Sequence, residues 1–393
     1  MRGSVGEVDS NQMRVAIVHH WFVSKGGGEH VAEALAQMYP EADLFALVAI
    51  PDMMPDKLRG RPVQTSFLDR VPFAHRIYRQ LLPLYPMAVE QLDLSEYDLV
   101  LTSDSGPMKG AIVSPSATHI CYCHAPMRYI WDQYHSYRKE LGTFSRAIYN
   151  LTSHYLRGWD RLAAQRVTQF VANSRCVASR IQQYYGRTSE VIYPPIDVSS
   201  GYLSDTQNDS YLTVGRLVRY KRIDLLIEAC NRLGRRLRIV GTGPEEGRLR
   251  AIAGDTIEFL GYVDQESLWK EYAECRAFLF GGEEDFGMAI VEAQACGRPV
   301  VAFGKGGALE SVASIDNAAS RSRSTGVFFH QQSVEAAADA ILRFEACEDS
   351  FQPRYIRERA RRFGAEIFCC NFRNLVDETL QVEPANRGLQ VCI

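Results

Sequence analysis

Short apolar runs of strand length alternate with amphipathic helical stretches along nearly the whole chain, and the alternation occurs twice. In the first half Arg14–His19 reads as a strand, and a Gly26-Gly27-Gly28 turn opens a helix running to Met38. Leu44–Ala49, Leu99–Thr102, Ile120–Cys123 and Phe170–Ala172 follow as strands, residues 143–166 as a long helix and Val191–Tyr193 as a last strand. In the second half Tyr211–Val214, Leu237–Val240, Ile257–Leu260, Ala277–Phe280 and Pro299–Ala302 are strands, with helices at 222–233, 245–252, 266–273 and 287–296 between them. Strands separated by helices cannot pair as hairpins, so the alternation predicts parallel sheets covered by helices on both faces. The expected fold class is α/β with two Rossmann-like domains. The break falls at Pro194-Pro195-Ile196-Asp197 and the polar run Ser199–Ser210, a composition that makes a linker. A length of 393 residues is also more than one core usually covers. The domains are therefore placed at 13–198 and 199–365, with an amphipathic segment at 366–380 read as a helix packing back on the first. A ligand is expected in the cleft between them, at the carboxyl ends of the strands.

The stretch Gly282-Glu283-Glu284-Asp285-Phe286-Gly287-Met288-Ala289-Ile290-Val291-Glu292 carries the most chemistry. It follows a strand and turns into a helix near Gly287. Free backbone N–H groups at such a helix start favour an anion such as a diphosphate, and glycine lets that anion come close. Glu284 precedes the helix and Glu292 lies one to two turns inside it, with its side chain leaning back toward the start. Eight helical residues span roughly 12 Å, about the length of a sugar–diphosphate–ribose unit. Glu284 is thus matched to sugar hydroxyls, the helix start to the diphosphate and Glu292 to the ribose diol. The plainer reading is a solvated acidic loop beside an ordinary helix glutamate. Upstream, Gly215-Arg216-Leu217-Val218-Arg219-Tyr220-Lys221 also joins a strand to a helix. Arg216 and Lys221 there suit the neutralisation of a diphosphate leaving group, Arg216 by forking across two oxygens. Otherwise this is a solvated basic turn that includes Arg219 and Arg222.

Other motifs say less. Gly26-Gly27-Gly28-Glu29 is a phosphate-approach turn, weak on its own. Gly241-Thr242-Gly243-Pro244-Glu245-Glu246-Gly247 nearly fits a dinucleotide fingerprint, but its last glycine is one residue late. His119, Cys121 and Cys123 share one face of a strand and read as core. His124 ends that strand, before Ala125-Pro126-Met127-Arg128-Tyr129, where a side chain meets substrate more readily. The ten cysteines have no zinc-ligand spacing, and no Asp-x-Asp occurs, so no metal cofactor is expected. A net charge of −3 gives no nucleic-acid signature. No apolar run is long enough to span a membrane, and the polar residues 1–12 make no secretory signal, with Met13 a second candidate start. The expected location is cytoplasmic. A basic, partly apolar stretch holds Lys57, Arg59, Arg61, Arg70, Arg76 and Arg79 among Phe67, Phe73, Ile77, Tyr78, Leu81 and Leu82. It reads first as a surface helix with a buried stripe. A second reading is peripheral docking on the inner face of the plasma membrane.

Taken together, the Glu-x7-Glu stretch, the Gly-Arg-x4-Lys turn, the first glycine turn and Gly261-Tyr262-Val263 resemble the family 4 retaining glycosyltransferases of GT-B fold, over about residues 13–380. The resemblance implies a nucleotide diphosphate-sugar donor, and no metal or other cofactor. It assigns catalytic roles to Glu284, His124, Arg216 and Lys221. It assigns donor contacts to Gly27, Gly28, Arg216, Lys221, Val263, Glu284, Phe286, Gly287, Met288 and Glu292. Gly304-Lys305-Gly306-Gly307-Ala308-Leu309-Glu310 and His124–Tyr129 are similar to bacterial mannosyltransferases of O-antigen and exopolysaccharide assembly. That implies GDP-mannose and a glycan or polyprenyl-diphosphate-linked acceptor. A UDP-sugar donor, a nucleotide-sugar epimerase, a phosphorylase and a non-catalytic sugar-nucleotide-binding subunit stay open.

Overall fold

A computed structural model describes residues 13–23, 26–139, 141–316 and 323–381. The polar residues 1–12 and the last residues, 382–393, lie outside these. The chain forms two compact units. The first takes the residues through Asn173, Val177–Ile192 and those from Cys369 on, and the second takes Ser174–Cys176 and Tyr193–Phe368.

In the first unit the elements run β1 (Val15–Phe22), α1 (Gly27–Met38), β2 (Asp43–Ala49), β3 (Val63–Thr65), α2 (Ala74–Ile77), α3 (Tyr85–Glu90), β4 (Leu99–Asp104), β5 (Thr118–Cys123), α4 (Tyr134–Lys139), α5 (Thr143–Ala163), β6 (Gln169–Ala172), α6 (Arg175–Tyr185) and β7 (Glu190–Val191). All seven strands pair in parallel, in the order β3-β2-β1-β4-β5-β6-β7. The second unit holds β8 (Tyr211–Val214), α7 (Ile223–Leu233), β9 (Leu237–Val240), α8 (Glu246–Ile252), β10 (Ile257–Gly261), α9 (Gln265–Glu274), β11 (Phe278–Phe280), α10 (Met288–Ala295), β12 (Val300–Phe303), α11 (Ala308–Ser311), β13 (Gly326–Phe329), α12 (Val334–Glu345) and α13 (Pro353–Ala360). Its sheet is parallel too, in the order β10-β9-β8-β11-β12-β13. The two sheets share one doubly wound order, with the switch points at β1/β4 and at β8/β11.

The strands are short and apolar because both faces are covered. In the second unit Leu279 and Val301 join one core, while Phe278, Phe280, Val300 and Ala302 join the other. A last helix, α14 (Ala365–Thr379), groups with the first unit from Cys369 on, where the Phe372 ring lies 6.4 Å from Tyr122.

Several local expectations need correction. The stretch 57–79 is not one surface helix. It breaks into β3, a 3-10 turn at Phe67–Arg70, α2 and a further 3-10 turn from Tyr78. Pro72 and Pro83 each lack the N–H a continuous helix needs, and Phe73 takes a left-handed φ of 59°. The strand read at Val191–Tyr193 ends at Val191. The strand β13 carried no alternation to mark it, because it is buried on both faces.

Candidate functional site

Four loops meet at the carboxyl edge of the second sheet. After β8 the backbone turns at Gly215, with φ of +142°, and a Cβ there would collide with the Lys221 ammonium. The loop after β9 packs down on this turn. Leu217 N–H donates to the Thr242 carbonyl at 2.9 Å, and Glu245 N–H donates to the Leu217 carbonyl at 3.1 Å. The loop after β11 lies against it from the other side. Side chains on Gly281 and Gly282 would come within 2.7 Å of the Arg222 carbonyl and 2.9 Å of Lys221 Cα. The loop after β12 closes the set, with Gly307 N–H donating to the Glu284 carbonyl at 2.9 Å. The glycines at these places are thus room for backbone against backbone.

That packing brings Lys221 to Glu284. Their Nζ and Oε1 atoms lie 2.8 Å apart, with both side chains largely buried. Burial works against the Lys221 charge, but the Glu284 carboxylate outweighs it and raises the ammonium's pKa. The helix α10 starts beside this pair. Its cap is Gly287 at φ +85°, and no side chain bonds its first N–H groups. By contrast, α9 is capped by Asp264, which accepts from Ser267 N–H at 2.8 Å, and α12 is capped by Ser333. The open start of α10 therefore retains donors and a positive dipole end for an anion.

Glu292 sits just over one turn into α10, and its Oε2 accepts a 2.7 Å hydrogen bond from Tyr272. The buried Tyr272 phenol is pushed upward in pKa by desolvation and then by this carboxylate, so it remains a donor. Arg216 is exposed, and its guanidinium has no ion pair among the described residues. Val263 is half-buried against the core, beside an exposed Tyr262. Met288 packs partly on the same core. Phe286 is buried, its ring 5.4 Å from both Tyr193 and Phe363, so its side chain is core and only its main chain belongs to the loop.

The first unit has its own cluster at the matching edge. His124 follows β5, and its Nε2 lies 2.8 Å from Ser103 Oγ. The same hydroxyl lies 3.0 Å from His19 Nδ1. His20 Nδ1 is 3.3 Å from the Ser103 carbonyl and its Nε2 is 3.3 Å from Ser105 Oγ. Gly28 faces all three rings: a Cβ there would sit 3.4 Å from His20 and 3.6 Å from both His124 and His19. Gly27 and Gly28 form the first turn of α1, which likewise lacks a side-chain cap bond at Gly26. Burial lowers the imidazoles, His124 to about 3 and His20 to about 4, and lowers His19 as well, so all three are neutral near pH 7. Burial also lifts the Glu29 carboxyl to about 7, against the backbone donors of its own helix start.

Below this cluster lies a buried ionic group. Lys109 Nζ is 3.0 Å from Asp104 and 2.7 Å from Asp160, and all three side chains are fully buried. Asp160 also accepts from Trp131 at 2.8 Å and from Tyr185 at 2.9 Å. Asp104 accepts from Gly106 and Met108 N–H groups and so fixes the turn after β4. Sequence reasoning did not single out His19, His20, Ser103 or this triad. Two consecutive histidines at the carboxyl end of the first strand were the available signal for the first pair. His119 is core, 3.0 Å from Thr102 Oγ1, and Cys121 and Cys123 are buried beside it.

The family model described as Glycosyltransferase Family 4 matches residues 25–200, and that for Glycosyl transferases group 1 matches 199–363. Between them they take in all but the two ends, and the chain belongs to the group 1, family 4 glycosyltransferases. Its two parallel-sheet Rossmann-like units have the GT-B architecture. Sucrose-phosphate synthase from Thermosynechococcus elongatus aligns with a TM-score of 0.69 at 18% identity, over 95% of this chain and 100% of that one. Anabaena HepE in complex with UDP aligns at 0.66 and 17% identity, over 93% and 100%. Among curated relatives, a GDP-mannose-dependent alpha-mannosyltransferase of Corynebacterium glutamicum is 38% identical over 100 residues, 25% of this chain and 24% of that protein. A D-inositol 3-phosphate glycosyltransferase of Mycobacteroides abscessus is 36% identical over 141 residues, 33% and 30%. The matched stretches take in a quarter to a third of these relatives' lengths.

Proposed function

We propose that this protein is a retaining hexosyltransferase that moves a sugar, mannose from GDP-mannose, to a glycan or polyprenyl-diphosphate-linked acceptor in cell-surface polysaccharide synthesis. The observation that carries the reading is the Lys221–Glu284 pair, 2.8 Å apart beside the uncapped start of α10. A cation and open N–H groups suit a departing diphosphate, and a carboxylate next to them suits the hydroxyls of the sugar it leaves. Arg216 adds a second cation, and Glu292, held by Tyr272, takes the ribose diol. Backbone of Gly287 and Met288 meets the phosphates, and Val263 the base. No metal is needed in this scheme, because cationic side chains and the helix start take that role.

In the transfer step the bond from the sugar's C1 to the phosphate oxygen breaks. The acceptor hydroxyl bonds to C1 from the same face and gives its proton to the leaving phosphate. Glu284 orients hydroxyls and is not a nucleophile. The neutral His124, with Gly27 and Gly28, is the first unit's contribution to sugar handling. The choice of mannose is supported by the GDP-mannose-dependent activity of the Corynebacterium relative and by the Gly304–Glu310 and His124–Tyr129 motifs.

The test is thermal stabilisation against GDP, UDP, ADP and their common sugars with EDTA present, followed by transfer assays. A ligand that binds the folded state raises the midpoint. A shift with GDP and GDP-mannose alone, lost in Arg216→Ala, is the expected result. A shift with UDP compounds alone removes mannose from the proposal. Dependence on added metal, or a glycosyl group trapped covalently on Glu284, overturns the mechanism.

A further inference from the structure

The three imidazoles at the carboxyl edge of the first sheet differ in what they can reach. His19 and His20 are buried, and His124 is half-buried. A neutral imidazole holds one ring proton, so one nitrogen donates and the other accepts. Which nitrogen does which follows from the partners. His20 is the simplest case, because its Nδ1 lies 3.3 Å from the Ser103 carbonyl. A carbonyl only accepts. His20 therefore carries its proton on Nδ1, and its Nε2 accepts from Ser105 Oγ at 3.3 Å.

His19 and His124 share the Ser103 hydroxyl, which lies 3.0 Å from His19 Nδ1 and 2.8 Å from His124 Nε2. The hydroxyl has one proton to give, so it donates to one ring and accepts from the other. The far side of His19 decides the direction. Its Nε2 is enclosed and has no hydrogen-bond partner. A proton there would be a buried N–H without an acceptor, which folded proteins rarely contain. With the proton on Nδ1, only a lone pair goes unused. His19 then donates from Nδ1 to Ser103, and Ser103 donates to His124 Nε2. That leaves the His124 proton on Nδ1. This nitrogen has no partner among the described residues and, unlike His19 Nε2, is not walled in. The platform under the chain of bonds is fixed. Asp104, between the two serines, accepts from the Gly106 and Met108 N–H groups and pairs with buried Lys109 at 3.0 Å. Its own carbonyl accepts from the His124 N–H at 2.7 Å.

We infer that His19 is a positioning residue: through Ser103 it holds the His124 proton on Nδ1, so that His124 offers an N–H donor, and not a base, to an oxygen of the bound sugar. A hydroxyl or ether oxygen with a free lone pair is the group such a donor recognises. The wiring needs no substrate, whereas the use of the donor rests on the transfer reading given above.

The experiment is long-range proton–nitrogen NMR of the isotope-labelled full chain near pH 7, where nitrogen shifts separate the two tautomers. Signals are assigned from His124→Gln and His19→Phe, and melting midpoints check folding. The expected result is the Nδ1–H form for both His19 and His124. In His19→Phe, which fills the same space without a donor, the Nε2–H form of His124 should appear. In His19→Asn, whose amide N–H can stand where Nδ1–H stood, the Nδ1–H form should be kept. Transfer rates, measured with the sugar nucleotide that stabilises the unchanged chain, should follow the same order. The kcat is expected to be about tenfold lower in His19→Phe with KM for the donor nearly unchanged, and recovered to within about threefold in His19→Asn. An Nε2–H form of His124 in the unchanged chain overturns the inference, whatever the variants do. So does a His124 tautomer unmoved in His19→Phe, or a moved one with full kcat. If no sugar nucleotide binds, the transfer reading falls and the sugar contact with it, while the tautomers still decide whether His19 sets His124.

Discussion

The same strand order builds both units, yet the carboxyl edges of their sheets hold opposite chemistry. At the β8/β11 switch the polar groups are formal charges, Lys221 against Glu284, with Arg216 exposed nearby. At the β1/β4 switch they are neutral imidazoles and hydroxyls, His19, His20, His124 and Ser103, with the formal charges of Lys109, Asp104 and Asp160 sunk beneath them. The doubly wound topology sets where a site forms and not what it binds. On the proposed function, the partly shielded charge of the second unit serves a ligand. Charge enclosed in the first serves the fold.

The sharpest way to break this contrast is to remove one charge from each side. Lys109→Ala leaves two buried carboxylates unpaired and should cost the first unit about 3–5 kcal/mol, read from denaturant unfolding. A loss below 1 kcal/mol would mean that the triad is not structural. Lys221→Ala should do the reverse. The loss of stability is smaller than for Lys109, because Glu284 keeps some solvent contact, while kcat falls roughly 10²–10³-fold, the usual cost of removing one stabilising donor from a developing charge. Retention of full activity would remove the leaving-group role.

A third experiment uses pH. Glu29 is raised from its ordinary 4.5 to about 7 by burial. Between those values the folded chain holds a proton that the unfolded chain has released. Stability therefore falls as pH rises through that window, by at most about 3 kcal/mol, and levels off above it. Glu29→Gln should flatten the slope, and an unaltered slope would assign it to other groups. The smallest effect is expected from Ser103→Ala. We predict that the hydroxyl, within hydrogen-bond distance of both His124 and His19, selects which nitrogen of His124 holds the proton. Its loss should lower kcat about tenfold with KM for the donor nearly unchanged. Nitrogen NMR of the His124 tautomer checks the cause directly, and an unchanged tautomer would discard the idea.

Much of the second unit's site was legible because its parts are local. Gly215 to Lys221 and Gly282 to Glu292 are each a single strand–turn–helix passage, and the residues follow the geometry of that turn. Glu292's hold on Tyr272 was not legible, since the two sit on different helices. Nor was the burial of Phe286, which looked like part of the loop because its neighbours are. The first unit's cluster draws on β1, β4 and β5, so no spacing announces it. The triad joins Asp104 and Lys109 to Asp160 across long separations, and only strand order brings them together. The prolines at 72 and 83 were in plain view as helix breakers, and the apolar periodicity around them outweighed them in the reading.

The Lys221–Glu284 pair has a consequence in any solution crowded with small anions. A bare lysine at a helix start would be a sink for every small anion that passes, and inorganic phosphate and sulfate would foul it. Here the ammonium arrives with its own counter-ion. A simple anion must evict Glu284 and offers nothing to the carboxylate it displaces. A molecule that carries hydroxyls next to its phosphates can satisfy both partners at once. On the proposed function the pair would thus act as a filter, discounting half a substrate and admitting a whole one.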